Sequence, residues 1–309
     1  MDQHQTMKKS KLFRLLAHIK HGTLYSRFRQ WRKGQKRRRR IRLWDNATAT
    51  QQRLAYKLET GGTINLYRDD RLSREIFVND FEAKERAFVR SYLRPGDVFV
   101  DVGANIGLFT LLGAAVVGPN GKVFALEPTT ETYQRLVHNV CSNQLNNVAC
   151  VQAALSDREE ERMLTISIEG YSGRNSLGRP TAGSRFAQEK IQCYRWDTFV
   201  TQHDLMGRVN LMKIDIEGWE FTMLQGAQAT LRRGDAPDLL VEFGEGNAQA
   251  AGTTCAALYA LLVGFGYQLY RIDAPQKRLS PVPKEYKNDN LLATKTIEQV
   301  CKRTGYTHG

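Results

Sequence analysis

The fold is decided by the stretch VFVDVGANIGLFT at residues 98–110. Its first five residues form an apolar run typical of a buried strand, and the glycines after it predict a tight turn into a helix. Gly103 allows a backbone conformation that a Cβ would hinder, and Gly107 lets the first helical turn pack close to the strand. A strand, a glycine turn and a helix in this order bring backbone close to a bound nucleoside, although the same turn also occurs in α/β proteins that bind nothing there.

A carboxylate follows the next apolar run, VFALE at residues 123–127, where a second parallel strand should end. At that position Glu127 can accept hydrogen bonds from both hydroxyls of a ribose. The turn at residues 103–107 reads Gly-x-Asn-x-Gly and lacks the Gly-x-Gly-x-x-Gly pattern that grips a pyrophosphate. With Asp101 at the end of the first strand, these residues favour S-adenosylmethionine over a dinucleotide as cofactor.

Length and composition predict one large catalytic domain with an extension. The chain has 309 residues, 41% of them hydrophobic, which is enough for a sizeable core. Residues 1–45 contain 15 lysines and arginines against Asp2 and Asp45, a surplus that equals the +13 of the whole chain. The remaining chain is therefore neutral overall, and the basic character belongs to the extension and not to the active site.

Cysteine usage and hydropathy predict a cytoplasmic protein. The five cysteines are scattered, odd in number and free of any Cys-x-x-Cys spacing, which argues for a reducing compartment and against structural zinc. The sequence has no run of 18 apolar residues and no apolar leader with a small-residue cleavage site. Asp101, Asp215, Glu217 and Glu242 are residues of the type that binds a divalent metal, but their spacing is not diagnostic, so no metal is predicted.

Residues 8–42 form a basic segment with three open interpretations. Residues 11–31 mix leucines and aromatics with lysines and arginines at partly helical spacing, and residues 32–42 are almost continuously basic. The segment can hold the protein at the inner, anionic surface of a membrane. A nucleic-acid tail is the less favoured alternative, and a solvated arm without a dedicated partner is the third.

After residue 81, strand and helix signals alternate, which predicts a Rossmann-like, doubly wound α/β sheet of seven strands. We expect a basic extension over residues 1–50, a cap of short strands with a Gly61-Gly62 hairpin over 51–80, the catalytic domain over 81–300 and a C-terminal tail over 301–309. The predicted strands are 98–102, 122–127, 148–154, 209–215, 238–243, 267–272 and 290–294; the predicted helices are 82–93, 105–117, 130–144, 218–233 and 253–265.

Residues 156–190 interrupt this alternation. The segment is charged at first and then rich in glycine and polar residues over 170–178, so it is predicted to be a long loop. A polar loop beside a cofactor cleft is often a lid or a substrate-binding element. A surface insertion is the alternative.

The second chemically informative stretch is LMKIDIEGWE at residues 211–220. On an extended segment Lys213, Asp215 and Glu217 project to one side, at the carboxyl end of a strand that should be buried. Methyl transfer from a sulfonium needs an aligned nucleophile and, for an alcohol, a group that takes its proton. Asp215 is the first candidate for that group, and Glu217 is an alternative base or orienter. Lys213 is the third candidate catalytic residue, because its ammonium can pair with either carboxylate and keep it ionised. In the structural alternative, Glu217 caps the next helix and Lys213 neutralises a buried acid.

These stretches resemble the FkbM-type family of S-adenosylmethionine-dependent class I methyltransferases, over roughly residues 80–295. The resemblance implies a Rossmann-like sheet, S-adenosylmethionine as methyl donor, and O-methylation of a hydroxyl on a sugar, polyketide or related metabolite. The Lys-x-Asp-x-Glu-Gly block is the most specific to this family. The matching segments are DVGANIGLFT at 101–110, ALEP at 125–128, AALSD at 153–157, KIDIEG at 213–218, LQGA at 224–227 and NDNLLA at 288–293.

By position in that family, Asp101, Gly103, Asn105 and Gly107 would line the methionine side of the cofactor, and Glu127 its ribose. The chain departs from methyltransferases that place an aspartate against the adenine amine, because Ala154 stands at that position. Ser156 or Asp157 is the expected substitute.

The favoured function is therefore an S-adenosylmethionine-dependent O-methyltransferase that acts on a hydroxyl of a glycan or small-molecule metabolite. Acceptor contacts are expected from residues 156–190 and from the N-terminal cap. One alternative is RNA methylation guided by the basic segment, although the body lacks the Asn/Asp-Pro-Pro-aromatic loop typical of base amine methylation. Another is a scaffold that binds a nucleoside without turnover.

Overall fold

The computed structural model describes residues 23–167 and 186–309 and shows an α/β fold built on a large mixed sheet. The described strands are, in chain order, β1 (Arg53–Lys57), β2 (Thr63–Tyr67), β3 (Val98–Val102), β4 (Lys122–Leu126), β5 (Val148–Val151), β6 (Ala154–Ser156), β7 (Glu160–Ser167), β8 (Phe186–Arg195), β9 (Leu211–Ile214), β10 (Asp238–Phe243), β11 (Gln268–Asp273), β12 (Arg278–Pro281), β13 (Asp289–Thr294) and β14 (Thr307–His308). The described helices are α1 (Thr23–Thr50), α2 (Arg71–Asn79), α3 (Ala83–Tyr92), α4 (Leu108–Val117), α5 (Thr130–Ser142), α6 (Trp196–Gln202), α7 (Glu220–Gln225), α8 (Gln228–Leu231), α9 (Glu245–Ala250), α10 (Cys255–Gly264) and α11 (Ile297–Thr304).

The large sheet confirms the predicted Rossmann-like fold. Its order within the described residues is β14-β12-β11-β13-β10-β9-β3-β4-β5. Strands β3, β4, β5, β9 and β10 are parallel, and β13 runs antiparallel between β10 and β11. The carboxyl ends of the parallel strands therefore meet at one edge, where doubly wound sheets bind ligands.

Both faces of this sheet are buried, which explains the unbroken apolar runs in its central strands. Along β3, Phe99 packs into one hydrophobic cluster, while Val100 and Val102 pack into the cluster on the opposite face. Helices cover each cluster, as expected for a doubly wound sheet. Asp101 shares the side of Phe99 but lies near the strand's end, so its carboxylate reaches the ligand-binding edge.

The sheet has nine strands within the described residues, two more than the seven predicted. Strand β12 forms between the predicted strands 267–272 and 290–294, because residues 278–281 complete an antiparallel ladder with β11. Strand β14 then pairs with β12. Residues 301–309, expected to be a tail, thus lie at the end of α11 and in an edge strand. The predicted domain boundaries themselves stay a prediction.

The segment at 156–190 is only partly the loop that was predicted. Strands β7 and β8 form a long antiparallel ladder, and β6 joins β8 to complete a separate sheet of three strands. The predicted strand at 148–154 accordingly ends at Val151, and Ala154 begins the next sheet. The glycine-rich part at 170–178 lies outside the described residues.

The N-terminal cap contains the predicted hairpin, β1 with β2, and a helix that was not predicted. The prediction that the cap at residues 51–80 consists of short strands is wrong for helix α2, which begins after Asp70. The Asp70 carboxylate accepts hydrogen bonds from the amides of Leu72 and Ser73, at 3.2 and 2.8 Å. This is N-capping, and the sequence signal for it was present.

The almost continuously basic stretch at residues 32–42 lies inside helix α1, because arginine and lysine favour the helical state. Its C-terminal half is attached to the cap: Trp44 is buried in the core, and the Arg40 guanidinium donates a hydrogen bond to the Tyr56 hydroxyl at 3.0 Å. Residues 8–22 of the basic segment lie outside the described residues. Among the helices that are described, none is both long enough and apolar enough to cross a membrane.

Candidate functional site

A cavity of about 450 Å³ opens at the carboxyl ends of β3, β4, β9 and β10. Eight of the ten residues that the sequence predicts to be functional line this cavity. The glycine turn at residues 103–107 and the acidic stretch at residues 213–217 therefore meet at one place. The eight are Asp101, Gly103, Asn105, Glu127, Ala154, Lys213, Asp215 and Glu217. The other two, Gly107 and Asp157, are described residues that do not line the cavity.

The glycine turn after β3 is in direct contact with the loop after β9. Gly103 has a φ of +78°, and a Cβ at this position would lie 2.0 Å from the backbone oxygen of Asp215. Only glycine permits both this backbone conformation and this approach. The turn that carries the cofactor motif is therefore packed, backbone against backbone, on the loop that carries the acidic motif.

Gly107 packs against α5 and is not among the described residues that line the cavity. It has a φ of +96°, and a Cβ here would lie 2.8 Å from Cδ1 of Leu136 on α5. The left-handed backbone conformation at this position favours glycine. The role of Gly107 in cofactor binding stays a prediction.

Glu127 is held in position by the turn that it faces. Its carboxylate accepts hydrogen bonds from the amide of Asn105 at 3.1 Å, and from the amide and hydroxyl of Thr129 at 3.1 and 2.7 Å. Burial raises the pKa of Glu127, and the hydrogen bonds from Thr129 and Asn105 oppose that effect. Each carboxylate oxygen can accept further hydrogen bonds, so the group remains suited to a diol.

Asp101 is buried, with 1% of its surface exposed. The Thr110 hydroxyl donates a hydrogen bond to its Oδ2 at 2.6 Å, whereas Oδ1 is buried and has no hydrogen-bond partner among the described residues. Burial raises the pKa of Asp101, and the nearby Lys213 ammonium opposes that effect. A buried oxygen without a partner is costly, so Oδ1 is a position at which a ligand donor would be stabilised.

Lys213 is the buried cation of the cavity's described lining. Its ammonium lies 2.7 Å from the Asp215 carboxylate and 4.8 Å from the centre of the Phe109 ring. Burial by itself would lower the pKa of Lys213, but the charges of Asp215, Glu82 and Asp101 outweigh burial and raise it above its usual value. Lys213 therefore stays charged and compensates the charge of the buried acids around it.

Glu217 adopts a left-handed backbone conformation with a φ of +54°, and Asn247 on α9 donates a hydrogen bond to its carboxylate at 2.6 Å. Burial, with the negative charges of Asp215 and Glu220, raises the pKa of Glu217 to about 8. The alternative in which Glu217 caps the next helix is wrong. Glu220 accepts from the turn amides instead, from Ile216 at 2.9 Å and from Gly218 at 3.2 Å.

Sequence reasoning missed Glu82 as a lining residue. It precedes α3, where no motif marked it, and it has a φ of +49°. Asn290 on β13 donates a hydrogen bond to its Oε1 at 3.2 Å, and burial raises its pKa to about 8. Glu242, near the end of β10, also lines the cavity. Asn247 and Trp219 complete this side and were not predicted.

Of the three residues considered for the adenine side, Ala154 lines the cavity, whereas Ser156 and Asp157 are not among its described lining residues. Ala154 lines the cavity beside Ala153 and Leu155, so this wall is apolar. Asp157 instead accepts a hydrogen bond from the Ser156 hydroxyl at 3.1 Å and pairs with Arg158 at 3.0 Å. Within the described ranges, no group of three histidine, cysteine or acidic side chains is arranged to hold a metal ion.

The chain matches the family model described as "Methyltransferase FkbM domain" over residues 101–269. It is 29% identical over 153 residues to "Methyltransferase 1" from Beauveria bassiana, covering 43% of this chain and 59% of that protein. It is 35% identical over 115 residues to "31-O-demethyl-FK506 methyltransferase FkbM" from Streptomyces tacrolimicus, covering 36% of this chain and 41% of that protein. The matched region thus spans at most about three fifths of these relatives.

Among solved structures, an S-adenosylmethionine-dependent O-methyltransferase from Thermotoga maritima aligns with a TM-score of 0.39 at 15% identity, covering 78% of this chain and 76% of that one. The family match confirms three predictions made from the sequence: the FkbM-type family, an S-adenosylmethionine-dependent methyltransferase domain, and S-adenosylmethionine as its cofactor.

Proposed function

Because the chain belongs to the methyltransferase FkbM domain family, we propose that it transfers a methyl group from S-adenosylmethionine to a hydroxyl oxygen of a glycan or small-molecule metabolite. The observation that carries this proposal is the packing of the Gly103 turn against the Asp215 loop. The groups suited to hold the cofactor and those suited to activate a hydroxyl consequently line one cavity.

The residues of the cavity fit S-adenosylmethionine. The buried, unpartnered Oδ1 of Asp101 needs a donor, which the ammonium of the cofactor carries. Glu127 would accept from the ribose hydroxyls, Gly103 and Asn105 would form the turn beneath them, and the wall at Ala154 would face the adenine. When bound, the cofactor supplies a methyl group on a positively charged sulfur, which suits a cavity lined by several acids.

Asp215 and Glu217 are positioned to orient a hydroxyl and take its proton. Both line the cavity, and Asn247 orients the Glu217 carboxylate by a hydrogen bond of 2.6 Å. A pKa of about 8, which burial and the neighbouring acids cause, brings Glu217 near the operating range of a general base. The Lys213 ammonium pairs with the Asp215 carboxylate at 2.7 Å. The site therefore contains one acid, Asp215, that is paired with Lys213, and a second acid, Glu217, that can exchange a proton near neutral pH.

Calorimetric titration with S-adenosylmethionine and S-adenosylhomocysteine tests the cofactor site first. Wild type should bind both in the micromolar range, and Glu127→Ala should lose most of this affinity. Glu159→Ala is the matched control, because Glu159 is an exposed acid outside the cavity. No binding by wild type would overturn the proposal.

A screen with labelled methyl groups on glycans, alcohols and RNA then tests the acceptor. Methylation of a hydroxyl, lowered roughly 10²- to 10⁴-fold in Asp215→Asn or in Glu217→Gln, would assign the role of proton acceptor to the acid whose replacement lowers the rate. Methylation of RNA alone would favour the alternative in which the basic segment guides the enzyme. Cofactor binding without transfer to any acceptor would favour a nucleoside-binding scaffold.

We further propose that residues 8–42 hold the protein at an anionic membrane surface. The described part of this segment is helical, and Arg38 and Arg39 are exposed on it. Each basic residue near such a surface contributes about 1 kcal/mol. The full chain should sediment with phosphatidylglycerol vesicles and not with phosphatidylcholine vesicles. Preference for duplex RNA over both would contradict this assignment.

A further inference from the structure

Two acidic side chains of the cavity have no part in the proposed cofactor contacts. Glu82 lies outside residues 101–269, the segment that matches the family, and Glu242 lies near the carboxyl end of β10. In both side chains the Oε2 atom is buried and has no hydrogen-bond partner among the described residues. Two buried acceptor atoms on one cavity wall are each in need of a donor.

The β10–β13 ladder brings these two acids together. Asn290 on β13 is the register partner of Glu242 on β10. The side-chain amide of Asn290 donates to Oε1 of Glu82 and to Oε1 of Glu85, both at 3.2 Å. One oxygen of Glu82 is thereby anchored, and the other is left for a ligand. The pair is a built feature of the fold, since a strand, its neighbour and the start of α3 all contribute to it.

The charge on this wall favours a cationic group over a neutral one. Asp215 and Glu217 line the same cavity, and Lys213 is the one lysine or arginine among its described lining residues. A hydroxyl would supply a hydrogen bond but would not stabilise the ionised form of the two acids. A protonated amine supplies up to three donors and a compensating charge.

We propose that Glu82 and Glu242 form an acceptor subsite that binds a protonated amine carried by the methyl acceptor. This inference rests on the proposed function, which it narrows to amine-bearing acceptors such as amino sugars. Glu82 and Glu242 act here as specificity-determining residues, and Asn290 positions Glu82.

The protonation of the two acids supports this subsite. Burial raises the pKa of Glu82 to about 8, with Lys213 opposing the effect and Asp215 and Glu85 adding to it. Burial also raises the pKa of Glu242 well above its usual value, and the neighbouring charges of Asp215, Glu220, Glu217 and Glu82 add to the shift. A bound ammonium would favour the ionised carboxylates, so its binding should release protons near neutral pH.

Three sugars that share one ring type and differ in charge test the subsite. Glucosamine is a cation, glucose is neutral and glucuronate is an anion. Their binding to the full chain saturated with S-adenosylhomocysteine would be measured by saturation-transfer NMR and by calorimetry in buffers of different ionisation enthalpy. Glucosamine should bind about tenfold more tightly than glucose and release protons, and glucuronate should bind least.

Glu82→Gln and Glu242→Gln should each remove most of the preference for glucosamine and reduce the proton release. Their affinity for S-adenosylhomocysteine should stay within about threefold of wild type, which shows that they fold, and Glu159→Gln should behave as wild type. Equal binding of glucosamine and glucose, or binding of neither, by a protein that binds S-adenosylhomocysteine would overturn the inference alone. Failure of wild type to bind S-adenosylhomocysteine would instead overturn the proposed function.

Discussion

The Lys213 ammonium lies 2.7 Å from the carboxylate of Asp215, two residues further along the chain, and Lys213 is also the register partner of Asp101 on the adjacent strand. One buried cation therefore serves acids on two strands. The negative charge of Glu82, from the segment before α3, also acts on it. Removing this cation would leave several buried acids without compensation, which makes Lys213 the most sensitive charged position of the site.

Lys213→Met should destabilise the protein by about 3 kcal/mol, because breaking a buried ion pair from one side leaves an unpaired buried charge. Urea denaturation of the variant and wild type would measure the difference. Lys302→Met is the control, since Lys302 is exposed near the end of α11. A loss below about 1 kcal/mol would contradict the role of Lys213 as the compensating cation.

Gly103→Ala should lower the unfolding free energy by more than about 2 kcal/mol, because a Cβ would require strained backbone and would overlap the Asp215 carbonyl. The contact distance of 2.0 Å leaves no room for adjustment by a flexible side chain. The variant should also bind S-adenosylhomocysteine more weakly. Gly234→Ala is the control, as nothing lies within 4 Å of a Cβ added there. Equal stability of the two variants would argue against the close packing of the turn and the loop.

Stability should fall as pH rises from about 4.5 to about 8. Burial raises the pKa of Glu217 to about 8 and that of Glu220 to about 7, whereas both carboxyls would ionise near 4.5 in the unfolded chain. Between these values the folded state binds more protons, so the unfolding free energy decreases with pH, by at most about 1.4 kcal/mol per pH unit for each group. Denaturation curves across this range would show the slope. Glu217→Gln should reduce it, and an unchanged slope in that variant would assign the effect to other groups.

The two forms of the cofactor should differ in their pH dependence. S-adenosylmethionine carries a sulfonium charge that S-adenosylhomocysteine lacks, and this charge favours ionised acids in the cavity. Because the pKa of Glu217 is raised to about 8 by burial and by neighbouring acids, the affinity for S-adenosylmethionine should rise between about pH 6.5 and 8.5. The affinity for S-adenosylhomocysteine should change less. Calorimetry at both pH values measures this, and parallel changes for the two ligands would contradict it.

The cofactor half of the site could be predicted from sequence because its signals are local. Asp101, Gly103 and Glu127 stand at strand ends within short apolar runs, and parallel pairing then brings those ends together. Lys213 and Asp215 follow the same logic on β9. The apolar runs and the turn residues that follow them were sufficient to locate these strand ends in the sequence.

The other wall depends on contacts distant in sequence, which no local pattern encodes. The carboxylate of Glu82 in the cavity accepts a hydrogen bond from Asn290, which lies more than two hundred residues later in the chain. Glu220 accepts hydrogen bonds from the turn amides because the backbone path places the N–H groups of Ile216 and Gly218 beside its carboxylate. Helix α2 is a different kind of omission, because the capping residue Asp70 was visible in the sequence but was outweighed by the strand-like segment before it.

The contact between Gly103 and the Asp215 carbonyl also determines when the site acquires its shape. Since backbone meets backbone there, the two loops cannot move apart without losing close packing in the centre of the sheet. The spacing between them is consequently established during folding and needs no ligand to create it. Preorganisation of this kind spares the protein the entropic cost of ordering the two loops in each catalytic cycle.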